Sequence, residues 1–116
     1  MNEDKDNLVY VSHILDAIKK IESYLEGVDF KTFSSNNMMF DAVTRELEII
    51  GEASNNIEEE FQNQYPNIPW RKVIGTRNLL IHEYSGINKR VIWDAYQDDI
   101  PELKTIMLQI LSESEK

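Results

Sequence analysis

Apolar residues recur along this chain at spacings of three and four, the period of a helix with one buried face. In residues 3–26 the series is Leu8, Val11, Ile14, Leu15, Ile18, Ile21 and Leu25, with Asp16, Lys19, Lys20 and Glu22 on the other faces. Gly27 comes next, and glycine readily takes the left-handed conformation that ends a helix. A second helix is predicted over residues 37–64, where Val43, Leu47, Ile50, Ser54, Ile57 and Phe61 alternate by four and three. At 1.5 Å per residue it would be about 40 Å long, enough to pair antiparallel with the first. Residues 29–36 read as a loop carrying Phe30 and Phe33, and Ser34, Ser35 and Asn36 are candidate N-caps.

The segment 65–69 holds Pro66 and Pro69 and breaks the pattern. Pro69 suits the first turn of a third, short helix over about 69–81, because its missing N–H costs nothing there. Ser85, Gly86, Ile87 and Asn88 make a turn, and Asn88 can cap the next helix. This fourth helical region spans 89–113 and is interrupted at Pro101, with Asp98 or Asp99 expected to cap the restart. Leu103, Ile106, Met107, Ile110 and Leu111 form its buried face. No alternating segment is long enough for a strand. The fold class is therefore all-α: one helical domain over 1–116, an up-down bundle of four to five helices with two long N-terminal ones. Gly51, Ala53 and Ser54 lie near the middle of the second helix, a notch where another helix can pack closely.

Composition narrows the partners. Twelve Lys and Arg face 21 Asp and Glu, a formal charge of −9. Phosphate affinity comes from clustered cations, so this balance counts against non-specific nucleic-acid binding. A site needs only a local patch, however, and an acidic body favours a basic partner. The chain has no cysteine, which excludes a disulfide framework and thiolate metal sites. The acidic start Met1-Asn2-Glu3-Asp4 lacks a signal-peptide character, and no apolar run approaches the ~20 residues that span a bilayer. The expectation is a soluble, cytoplasmic protein without a membrane contact.

Several kinds of site are missing from the sequence. It has no glycine-rich phosphate loop and no His-Glu-x-x-His pair, and its two histidines cannot build a histidine-rich metal centre. Glu58-Glu59-Glu60 and Asp98-Asp99 read as solvated faces or caps. His13 lies just off the apolar stripe of the first helix and receives no role. The third helix differs, because Arg77, Asn78, His82 and Tyr84 fall within eight residues and packing needs none of them. Tyr84 is two turns from Arg77 on nearly the same face, and His82 is about 140° round. It converges with Arg77 if the helix ends beside it.

An arginine and a histidine suit phosphoester chemistry. Histidine exchanges a proton near neutrality, and arginine offers a planar, permanently charged fork to phosphate oxygens. RNA carries its own nucleophile, the 2′-OH, so a base plus a cation suffices for cleavage without metal or cofactor. DNA lacks that hydroxyl and would not be cut. The same residues near a helix end also serve to cap carbonyls or pair with Glu83, and spacing does not separate these readings.

The run Arg77-Asn78-x3-His82-x-Tyr84 resembles the Arg-x4-His-x-Tyr signature of HepT-like toxins in the HEPN family of ribonucleases. Ile50-Gly51-Glu52-Ala53 is similar to that family's glycine-glutamate-alanine step in its second helix. Ile68-Pro69-Trp70-Arg71 with Ile74-Gly75 resembles the approach to its catalytic helix. Val91-Ile92-Trp93-Asp94 and Ile100-Pro101-Glu102-Leu103 resemble its C-terminal region. The resemblance implies a cytoplasmic, metal-independent endoribonuclease, the toxin of a toxin–antitoxin pair. It implies a homodimer with a composite active site, and a minimal nucleotidyltransferase antitoxin that transfers AMP to Tyr84. Arg77 and His82 would be catalytic and Asn78 supporting. Glu83 stands where the family often has a small residue, and Ser85 where an aromatic is common; both bear on rate and substrate preference. The alternatives are a non-catalytic HEPN module that binds a nucleotidyltransferase, and a structural bundle with no site.

Overall fold

A computed structural model describes residues 3–82 and 88–114, with residues 3–5, 81 and 82 described by backbone only. The long stripe at the N-terminus forms α1, Glu3–Leu25. Its Val11, Ile14, Ile18 and Ile21 are fully buried. Gly27 ends it at φ +72°, as the pattern predicts. Asn36 caps α3, Asn37–Asn56, accepting from the Met39 N–H at 3.0 Å. Trp70–His82 is α5, entered through Pro69, whose carbonyl accepts from the Val73 N–H. Asn88 caps α6, Lys89–Asp94, accepting from the Arg90 N–H at 2.7 Å. The last helix, α7, is Ile100–Ser114.

Three expectations need correction. Residues 30–35, read as a loop, form a short helix α2, Phe30–Ser35. Asp29 starts it by accepting from the Thr32 N–H at 2.8 Å, and that bond holds the Asp29 carboxyl below its ordinary pKa. The second long helix stops at Asn56 rather than at 64. Ile57 is extended, and a single turn, α4, comes next at Glu59–Gln62. The break is held from afar: buried Asn7 accepts from the Glu58 N–H at 3.0 Å. The Gln62 side chain donates to the carbonyls of Ser54 and Ile57. Neither Asp98 nor Asp99 caps a restart. Both lie in a π turn, Ala95–Asp99, which joins α6 to α7 without a gap. Pro101 offers no N–H to the carbonyl four residues back, and a wider turn accommodates that loss. The Ile100 N–H reaches back to Ala95 instead.

α3 is the centre of the bundle, with α1 packed on one side and α5 on the other; α7 packs on α1. The described residues contain no strand. Lys104 on α7 grips the Glu22 carboxylate of α1 through both oxygens, at 3.0 and 3.2 Å. α2 pins α6, the element that resumes the chain after the Arg77–Tyr84 run. Phe33 is fully buried between Phe40 and Trp93, at ring separations of 5.9 and 5.3 Å. Lys89 donates to the Ser34 carbonyl and to Asn37, and Arg90 lies 4.7 Å from the Phe30 ring centre. Among the described residues no helix is long and apolar enough to cross a membrane.

Candidate active site

Arg77 sits two-thirds of the way along α5, where that helix presses on α3. The closeness rests on Gly51. A β-carbon there would overlap the Arg77 side chain and lie 3.2 Å from the Arg77 Cα. The small-residue notch of α3 is thus the seat of this arginine, and Gly51 is the residue that makes it.

Two neighbours aim the guanidinium. Nη2 lies 2.7 Å from Glu52 Oε2, and Nη1 donates to Asn78 Oδ1 at 2.8 Å. Nε is buried and has no hydrogen-bond partner among the described residues. Arg77 is about one-quarter exposed and Glu52 about one-half. A pair that wet adds little stability; what it supplies is direction. The charged fork is presented rather than hidden.

It is presented into a groove of about 260 Å³ that crosses the outward ridge of α3. α1 supplies Tyr10 and His13 to one wall, and α3 supplies Arg45, Glu48, Ile49, Glu52, Ala53 and Asn56. α5 supplies Arg77 to the lining. Tyr10 and His13 meet edge to face at 6.1 Å. Arg45 and Glu48 pair loosely at 3.6 Å.

Of the residues the sequence singles out, Arg77 and Asn78 come together as expected. α5 extends to His82, about 7.5 Å along the axis from Arg77, with only the His82 backbone described. Tyr84, with Glu83 and Ser85, lies outside the described residues. Periodicity and motif assign no role to Glu52, Tyr10, Arg45 or Glu48. For Glu52 the available signal is its place in the glycine-glutamate-alanine step at 51–53. His13, read as a boundary residue, is exposed in the groove. Among the described residues, no three of His, Cys, Asp and Glu gather as metal ligands.

Fold and site together define an all-α protein that presents a pre-aimed arginine and its supporting amide from a short central helix. The family model described as Ribonuclease HepT-like matches residues 14–110. The chain belongs to the HepT-like ribonuclease family. "Probable ribonuclease HepT" of Thermococcus cleftensis is 43% identical over 95 residues, 82% of this chain and 86% of its own length. "Putative RNase MJ1380" of Methanocaldococcus jannaschii is 37% identical over 100 residues, 86% of this chain and 92% of its own. A longer protein of that organism, "Gamma-glutamylcyclotransferase and putative RNase MJ0434", is 38% identical over 112 residues. The match takes 97% of this chain and spans half the length of that relative. No solved structure gives a significant match.

Proposed function

We propose that this protein is a metal-independent endoribonuclease, the toxin of a pair whose antitoxin is a minimal nucleotidyltransferase. The observation that carries the reading is the Arg77 guanidinium, seated on Gly51 and aimed by Glu52 and Asn78. His82 takes the proton from a ribose 2′-OH. The freed oxygen attacks the adjacent phosphorus, and Arg77 stabilises the charge of the crowded phosphorane. The P–O5′ bond breaks, and His82 returns its proton to the leaving 5′ oxygen. The products are a 2′,3′-cyclic phosphate and a 5′-OH. Two copies of the chain face their motifs across a dimer and complete one composite site. This doubles the cations available to RNA on a body of charge −9.

Neutralisation follows from the same chemistry. The Tyr84 hydroxyl attacks the α-phosphorus of ATP in the partner's site and pyrophosphate leaves. The bound AMP adds bulk and negative charge within the motif, where RNA phosphate would otherwise sit. Both proteins act in the cytoplasm.

The test is cleavage of RNA by the purified protein beside Arg77→Ala and His82→Ala, with product ends read by mass. Either loss should lower the rate by a factor on the order of a hundred or more. Variants that cut as fast as the parent would refute the assignment. EDTA should leave the parental rate unchanged. A gain of AMP mass with ATP and the partner that persists in Tyr84→Phe would remove the role of Tyr84.

A second reading is a non-catalytic module that only binds the nucleotidyltransferase. The Glu52 carboxylate on the fork of Arg77 favours it, since that charge is already answered. It predicts a stable complex and no RNA cleavage at any protein concentration.

A further inference from the structure

Tyr10 and His13 stand in the Arg77 groove, and the proposed cleavage uses neither. Tyr10 rests one side on the core, and His13 is exposed. We propose that this groove is a nucleobase subsite, taking the base of the nucleotide next to the cut phosphate, with Tyr10 and His13 as its stacking wall. The inference rests on the ribonuclease reading and extends it to substrate recognition.

Charge decides against the simpler idea of a backbone track. Arg45 and Arg77 are matched by Glu48 and Glu52 in the same groove. With the charges cancelled, the lining offers a polyanion no net attraction. It offers a base a great deal more. The Tyr10 and His13 rings meet edge to face at 6.1 Å. His13 is exposed and Tyr10 half-buried, so this aromatic corner faces the solvent side of the groove. Unstacked RNA bases settle on such side chains. The Glu48 and Glu52 carboxylates accept hydrogen bonds from base N–H groups, while arginine donates to base oxygens and ring nitrogens. Arg45 and Glu48, only 3.6 Å apart and loosely paired, can exchange each other for a base edge. Arg77 lines the same groove, so a base there lies near a phosphate held by that arginine.

Two measurements test this. In the first, Tyr10→Ala and His13→Ala are compared with the parent on RNA oligonucleotides. Each should raise KM about tenfold, with kcat changing much less, and both should blur the preference for bases beside the cut. The second does not depend on activity. The chain has two histidines, so NMR shows two imidazole signals, and His13→Ala identifies one of them. GMP and CMP should move the His13 signal saturably, and ribose 5-phosphate should leave it in place. Equal shifts with ribose 5-phosphate, or no shift with either nucleotide, would overturn the base subsite. So would an unchanged KM and cut-site pattern in both variants of an active parent. If the parent cuts no RNA and the nucleotides still move His13, the ribonuclease reading fails and the subsite stands.

Discussion

Gly51 of α3 and Arg77 of α5 touch where the two helices cross, and the absent β-carbon of one makes room for the side chain of the other. Two effects oppose each other in Gly51→Ala. Alanine is the better helix former, by about 1 kcal/mol. Overpacking a close contact costs roughly 1–3 kcal/mol, and here the overlap includes the stem of Arg77 near its backbone. Overpacking wins. Urea unfolding should show a net loss of stability, and RNA cleavage should fall further than that loss explains, because α5 moves away from Glu52.

Glu52 should matter to rate and hardly at all to stability. The pair is half-wet, so Glu52→Ala should change unfolding free energy by less than about 1 kcal/mol. Cleavage should drop about tenfold as the guanidinium loses one of its two guides, and Glu52→Gln, which still accepts a hydrogen bond, should keep more. A faster Glu52→Ala enzyme would mean that the carboxylate competes with phosphate instead of aiming the arginine.

Arg77→Lys keeps the charge and loses the fork. A lysine cannot bond Glu52, Asn78 and a phosphate in one plane. Its cleavage rate should be at least tenfold below the parent, with unchanged helix content by circular dichroism. Parental activity in this variant would show that charge alone suffices.

Phe33 carries more of the fold than a loop residue would. It is fully buried between Phe40 and Trp93. Phe33→Ala should cost about 3–5 kcal/mol, a large part of the 5–15 kcal/mol typical of a domain. Thermal unfolding should shift down by roughly 10 °C or more.

Acid should loosen α2 locally. The Thr32 N–H holds the Asp29 carboxyl below its ordinary pKa. A group depressed in the folded state contributes its stability above its unfolded pKa, near 4. That contribution fades as pH falls through the folded value. The Thr32 amide resonance should therefore change below about pH 4, and Asp29→Ala should remove the change.

Residue patterns make much of this legible. The stripe of α1, the glycine that ends it, and the asparagine caps at 36 and 88 are local signals, and local signals survive in a sequence. The end of α3 is not legible. Ile57 and Phe61 fit the helical spacing and both are buried, yet the backbone opens between them. Besides Gln62, what holds that opening is Asn7, fifty-one residues from Glu58, and no window of periodicity includes it. The site divides in the same way. Arg77 and Asn78 stand out beside the apolar run Leu79-Leu80-Ile81 and close to His82. Tyr10, His13 and Arg45 acquire a meaning only once α1 and α3 are in register, and that register is tertiary.

The Asn7–Glu58 bond also makes a clock. Tyr10 and His13 are carried by the same stretch of α1 that Asn7 fastens to the end of α3. When that stretch lifts, the Glu58 amide loses its acceptor and meets solvent, and its proton exchanges with deuterium. Deuterium uptake at that one backbone proton is therefore a readout of this end of α1, and a ligand bound in the groove should slow it without touching it.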